Sequence, residues 1–267
     1  MQSSLAPPLI TLTTDFGLAD HYVGTMKGVI LNRCPQARLV DICHEITAFS
    51  IYSGAYTIDQ AAPYFPAGTV HVIVIDPGVG TSRKPILMKA LGQYFIAPDN
   101  GVLSLVAARG GARRVWEIKN PKFWLDSPSS TFHGRDIFAP TAAALASGAA
   151  HESEIGPAIE DMELLPDLES KQVKERVWQG KLLSVDRFGN AVTNFKIAEF
   201  ADVRSREFTL MVNFHRITSF QETFGNGSRD ECFVYAGSSG YLEIGMNQES
   251  AARFLNAKPG EGITLSV

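Results

Sequence analysis

The sequence predicts an α/β protein of two domains: an N-terminal α/β domain with a mainly parallel central sheet, then a smaller antiparallel, β-rich and barrel-like C-terminal domain. Three observations predict this. The first half alternates short apolar runs with segments of helical spacing; an acidic, proline-punctuated stretch (HESEIGPAIEDMELLPDLESKQ) breaks that pattern; and short β-prone runs separated by turn residues fill the rest. The boundaries that follow are residues 1–160 for the first domain, 161–175 for a linker and 176–267 for the second domain.

LITLTT (9–14) is a β-prone run that ends on Asp15, and YVGTMKGVILN (22–32) sets Val23, Met26, Val29 and Ile30 at helical spacing. ARLVDI (37–42) predicts the next strand, and SIYSGAYTIDQAAPYF (50–65) a helix that stops near Pro63. VHVIVI (70–75) is continuous enough to be a strand buried on both faces. PILMKA and YFIAPDNGVLS predict a hairpin or paired strands, a helix follows over 102–108, RRVWEI reads as a strand, and IFAPTAAALASG predicts a helix that begins just after FHGRD. Beyond the acidic stretch, KERVWQGKLLSVD, NAVTNF, EFTLMVN, CFVYAG, GYLEIGMN and GITLSV are the expected strands of the second domain.

With 267 residues, 45% hydrophobic and 19% charged, the chain has the composition of a globular protein, and its net charge of -4 without a basic stripe argues against nucleic-acid binding. No run reaches the length of a membrane span, and MQSSLAPPLITL lacks the basic start and apolar core of a secretory signal. Cys34, Cys43 and Cys232 are odd in number and form no CxxC spacing, so reduced thiols and a cytoplasmic location are expected.

In open α/β sheets, ligands gather where loops leave the carboxyl ends of parallel strands. Asp15 and Asp76 both follow such strands, so parallel neighbours would aim both carboxylates into one crevice. Taken alone, each acid is equally an ordinary helix cap or turn residue. DPGVGTSRKP is not a phosphate loop, because it lacks the GxxxxGK[ST] spacing. His133, Arg135 and Asp136 in TFHGRDIF form a polar knot with a plain structural reading as well, a satisfied histidine beside a cap and an ion pair. No HExxH, spaced Cys/His set or GxSxG elbow is present, which argues against zinc and against a serine nucleophile. SVDRFGNAVTNF brings together Asp186, Phe188 and Asn190, an acid, an aromatic face and an amide that suit an adenine-like ring or, more plainly, a tight turn.

TTDFG (13–17), DHYVGTMKG, IDPGVGTSR (75–83), APDNG (97–101), TFHGRDIF (131–138), DRFGNAVTN (186–194) and SSGYLEI (238–244) together resemble the S-adenosylmethionine hydrolases (adenosine-forming), relatives of the fluorinase and chlorinase, in order over nearly the whole chain. The resemblance implies hydrolysis of S-adenosylmethionine to adenosine and L-methionine without metal or organic cofactor. It also implies a homotrimer with the active site between the N-domain of one subunit and the C-domain of the next. Residue by residue it implies that Asp76, Arg83 and His133 hold and activate the attacking water, and that Asp15 binds the ribose hydroxyls. It places Phe49 against the ligand, Asp20, Asp186 and Ser238 near the methionine ammonium and carboxylate, and Phe188 with Asn190 at the adenine.

That assignment is chemically sensible. A sulfonium leaves as a neutral thioether and needs no acid, so catalysis reduces to orientation and nucleophile activation. Arg83 is no base, which leaves Asp76 or His133 to accept the proton. The halogenases carry Tyr or Thr where this chain has Asp76, whose charge would repel a halide. Gly134 matches the chlorinase, and Ser239 stands where the fluorinase has an arginine. Two other readings compete with hydrolysis: a halogenase, and a non-catalytic sensor of S-adenosylmethionine or adenosine.

Overall fold

A computed structural model describes residues 7–111 and 113–267. The chain divides into two compact units, the first ending at Leu165 and the second being Pro166–Val267.

The first unit is built on β1 (Leu9–Thr14), α1 (Tyr22–Arg33), β2 (Arg38–Cys43), α2 (Ile51–Ala61), β3 (Val70–Val74), β4 (Pro85–Ala90), β5 (Gln93–Pro98), α3 (Ser104–Ala108), β6 (Arg114–Glu117), α4 (Ala139–Ala146), α5 (Glu152–Ile155) and β7 (Ala158–Ile159). Its seven-stranded sheet runs β2-β1-β3-β5-β4-β6-β7. The first four are mutually parallel, and β4, β6 and β7 extend the sheet antiparallel. Every residue of β3 is buried, as a strand covered on both faces requires. Two apolar clusters flank the sheet, one around Met26, Ile30, Val72 and Phe138, the other around Ile58, Ile73, Ile75 and Phe95.

The chain leaves β1 toward β2 on one side and returns through α2 to β3 on the other, so the strand order reverses between β1 and β3. Thr14 pairs with Val74, and the loops carrying Asp15 and Asp76 therefore emerge side by side at that reversal. One element departs from the sequence reading. The helix expected to begin after FHGRD begins inside it: Gly134–Phe138 form one π-helical turn, closed by Ala139 N–H donating to the Gly134 carbonyl, which runs straight into α4. Pro140, without an N–H, sits in the first turn of α4, where it is tolerated.

The second unit contains β8 (Lys171–Lys174), β9 (Val177–Val185), β10 (Ala191–Lys196), β11 (Thr209–Val212), β12 (His215–Ile217), β13 (Phe233–Ala236), β14 (Tyr241–Gly245), α6 (Ala251–Leu255) and β15 (Gly262–Ser266). Its eight strands pair antiparallel in the order β12-β11-β15-β9-β10-β14-β13, with β8 on β9, as a barrel-like sheet around Phe195, Leu210, Val234, Ile244 and Leu265. Thus the residues expected as a linker split between the units: Gly101 bridges Leu164 in the first, and β8 belongs to the second. Among the described residues no helix is long and apolar enough to cross a membrane.

Candidate functional site

The run VHVIVI ends on Asp76 because β3 ends there, at the reversal point of the sheet. The loop that follows folds back on itself: Val79 N–H donates to the Asp76 carbonyl, and Gly80, at φ 77°, passes so close to the Ser130 carbonyl that a Cβ would lie 2.3 Å from it. Only glycine fits there. The turn returns Arg83 to Asp76 in a two-pronged ion pair, Nε to Oδ1 at 3.0 Å and Nη2 to Oδ2. Both side chains are out of water, 8% exposed for Arg83 and 5% for Asp76.

His133 comes from the other direction, immediately before the π-helical turn, and its Nδ1 lies 2.7 Å from Arg83 Nη2. A guanidinium only donates, so Nδ1 is the acceptor and the ring proton of the neutral imidazole is on Nε2. Burial, reinforced by the Arg83 charge, pushes the His133 pKa below its ordinary 6.5, which favours that neutral form. Arg83 Nη1 is buried without an acceptor among the described residues, and the guanidinium sits over the Phe138 ring.

Asp15, Phe49, Asp76, Val79, Phe132 and His133 line one cavity of about 240 Å³. Asp15 Oδ2 accepts the Phe49 N–H at 2.8 Å; burial nevertheless raises its pKa, the nearby Asp76 charge adding to the rise. Phe49 is 72% exposed and held at φ 65°, a left-handed conformation strained for an aromatic residue. Asp20 is exposed and is not among the residues lining this cavity.

The second unit carries its own set. Phe188, Asn190, Phe224, Met246 and Arg253 line a hollow of about 690 Å³. Asp186 closes the turn beneath them: Oδ1 accepts the N–H groups of Phe188 and Asn190, and Oδ2 accepts Asn190 Nδ2 at 2.8 Å. The Asn190 amide is thereby oriented with its oxygen left for a ligand. Ser238 lies elsewhere, exposed in the turn between β13 and β14. Sequence reasoning missed Phe224, Met246 and Arg253, which come from separate segments and bear no chemical signature of their own. Phe132, inside the FHGRD motif, likewise carries no chemical signature and joins the site only through the cavity it lines. Among the described residues no group of three or more His, Cys, Asp or Glu is arranged to hold a metal ion.

The family model for the SAM hydroxide adenosyltransferase N-terminal domain matches residues 10–156, and that for the C-terminal domain matches residues 180–264. An (R)-S-adenosyl-L-methionine hydrolase of Methanocaldococcus jannaschii is 36% identical over 93% of this chain and 92% of its own. The protein of the same description from Salinispora tropica is 37% identical over 98% and 99%. A fluorinase of Nocardia brasiliensis is 27% identical over 97% of each chain. Among solved structures, an uncharacterized conserved protein from Thermotoga maritima superposes with a TM-score of 0.84 and 37% identity, covering 97% of this chain and all of the other.

Proposed function

This chain belongs to the SAM hydroxide adenosyltransferase family, and we infer that it hydrolyses S-adenosyl-L-methionine to adenosine and L-methionine by attack of water or hydroxide at ribose C5′. The observation that carries the chemistry is the Asp76–Arg83–His133 cluster at the wall of a small cavity shared with Asp15.

The cluster distributes the roles. The lone pair of His133 Nδ1 is spent on Arg83 and Nε2 carries the ring proton, so His133 has no free basic nitrogen and acts as a donor that orients the nucleophile oxygen. Each oxygen of Asp76 gives one lone pair to Arg83 and keeps another. The proton lost by water as it attacks therefore goes to Asp76 and on to solvent, while the sulfonium departs with the C–S electron pair as the neutral thioether of methionine. Arg83 balances the developing hydroxide charge, and its unpartnered Nη1 is a further donor for it. Asp15 is suited to the ribose hydroxyls, and Asn190 with Phe188 to the adenine. A halide in the same cavity would face the Asp76 carboxylate, which favours water over the halogenase reaction.

From the family resemblance we also propose a homotrimer in which the N-domain of one subunit and the C-domain of the next complete each site; light scattering of the purified protein tests the trimer. We also propose that the reaction needs no metal or organic cofactor and takes place in the cytoplasm. The deciding experiment is incubation with S-adenosylmethionine in ¹⁸O-water, with and without chloride, and mass spectrometry of the nucleoside. Adenosine labelled at its 5′-oxygen is expected. A 5′-chloro product would assign the chain to the halogenases, and intact substrate despite binding would make it a sensor.

A further inference from the structure

His44 is a buried histidine, 4% exposed, that takes no part in the Asp76–Arg83–His133 cluster. Its ring touches polar groups on both sides. Nδ1 lies 2.9 Å from the hydroxyl of Thr14, the last residue of β1 and itself fully buried. Nε2 lies 3.0 Å from Asp41 Oδ1, within ion-pair distance though not aligned as a full hydrogen bond. Asp41 Oδ2 in turn accepts Lys27 Nζ, from α1, at 2.6 Å. Burial raises the Asp41 pKa, but Lys27 and His44 together bring it below its ordinary value, so an ionised carboxylate faces Nε2. A lone pair turned toward that charge would be repelled, and the neutral ring therefore carries its proton on Nε2 and leaves Nδ1 as an acceptor. The Thr14 hydroxyl donates to it and keeps its own lone pairs, one of which takes the Phe16 N–H at 3.3 Å.

This chain of contacts ends in the wall of the cavity. Asp15 and Phe16, the two residues after Thr14, both line it, and so does Val74, the partner of Thr14 on β3. The segment that carries His44 clasps the same turn twice more: the His44 carbonyl accepts the Gly17 N–H at 2.7 Å, and the Phe49 N–H donates to Asp15 Oδ2 at 2.8 Å. The carbonyl would make its bond whatever side chain residue 44 had, and a position needing only bulk would carry an apolar one, which loses no hydration on burial. What the ring adds is a fixed acceptor, which holds the Thr14 hydroxyl with its lone pairs toward Phe16.

We propose that His44 is a positioning residue for Asp15. Asp41 sets its tautomer, Nδ1 fixes the Thr14 hydroxyl, and the hydroxyl holds the Phe16 N–H, so that the carboxylate between them is presented to the cavity in one orientation. What Asp15 binds, the ribose hydroxyls, rests on the hydrolase reading above; the relay that holds it does not.

The test joins NMR of the free protein to calorimetry with adenosine. The ¹⁵N shifts of the neutral His44 ring in wild type should show Nε2 protonated and Nδ1 bare, and a proton on Nδ1 would overturn the relay. Thr14→Val, which keeps the shape and removes the hydroxyl, and His44→Ala should each speed hydrogen exchange at the Phe16 and Gly17 amides about tenfold, while the amides of the β1–β3 ladder stay protected and show the unit to be folded. Unchanged exchange at Phe16 in either folded variant would sink the proposal. His44→Asn, whose side-chain oxygen takes the place of Nδ1, should restore most of the protection; behaviour like His44→Ala would show that the acceptor is not what matters. His44→Ala should also weaken adenosine about tenfold, but less than about twofold when Asp15 is already Ala, because no carboxylate is then left to place. Equal losses in both backgrounds would make His44 a structural residue only. A wild-type protein that does not bind adenosine fails the hydrolase reading instead, and the NMR measurements still decide the relay.

Discussion

In the first unit the Asp76 carboxylate and the Arg83 guanidinium are buried and already paired, 5% and 8% exposed and bound to each other before any ligand arrives. In the second, the ring offered to the ligand faces outward, Phe188 being 79% exposed, and the acid beside it is occupied in closing its own turn. The difference follows from the two tasks. Activating a nucleophile depends on charges held in a low-dielectric place, where they are strong and need no rearrangement. Gripping a purine depends on an open apolar face and an oriented amide, which cost little to leave in water. Substitutions in the first unit should therefore alter rate and stability together, and substitutions in the second should alter affinity alone.

The sharpest way to break this contrast is Asp76→Asn. It removes the proton acceptor and leaves the buried Arg83 without its counter-charge, so kcat should fall about 10²- to 10⁴-fold and unfolding free energy by about 3–5 kcal/mol, with adenosine still bound. Near-normal turnover measured on the folded variant would remove Asp76 from the chemistry.

Next in size is the effect of acid. His133 titrates below 6.5 because burial and the Arg83 charge oppose its protonation. Protonation at Nδ1 would set a proton against the Arg83 N–H, so kcat should be flat near neutrality and fall only below the ordinary imidazole range. The linkage has the same sign. The unfolded chain takes up this proton first, so the stability contribution of His133 is complete above pH 6.5 and is lost as pH falls through the depressed value. Asp15 runs the other way: burial raises its pKa, so the folded state holds that proton more tightly and the contribution is lost as pH rises through the raised carboxylate value. Urea unfolding of wild type and His133→Asn at about pH 7.5 and about pH 5.5 tests the His133 contribution; equal acid sensitivity in both proteins would show that His133 is not the sensing group.

In the second unit the expected effect is smaller and of a different kind. Asn190→Ala should raise the dissociation constant for adenosine roughly tenfold and leave kcat at saturating substrate nearly unchanged. An unchanged affinity would mean that the amide serves only the turn it shares with Asp186.

How much of this was legible in the sequence depended on whether a residue's role is local. Asp15 and Asp76 were readable as strand-end acids because a β-run announces its own end, and the parallel pairing of β1 with β3 then brought them to one cavity. The turn chemistry of Asp186 was readable for the same reason. The π-helical start of α4 was not, because Gly134–Phe138 has no periodic signature that separates it from an α-helical turn or a loop. Nor were Phe224, Met246 and Arg253, whose only common property is the hollow that tertiary pairing builds from them.

The finest test of the contrast is at Phe49, the one place among the described residues where the first unit also exposes a large aromatic ring at its site, and there it does so at φ 65°. A left-handed conformation costs a residue with a Cβ about 1–2 kcal/mol, and glycine escapes that cost. Phe49→Ala removes the ring and keeps the strain; Phe49→Gly removes both. Both variants should bind substrate more weakly to the same degree, because the same ring is gone. Phe49→Gly should nevertheless be the more stable of the two, by about 1 kcal/mol in chemical unfolding, a gain reduced by the greater freedom glycine has when unfolded. Stability above wild type in Phe49→Gly would mean that the ring is kept at a cost to the fold. Equal stability of the two variants would mean that the Phe49 N–H bond to Asp15 already offsets the strain, and the backbone at 49 would then serve Asp15 as much as the ligand.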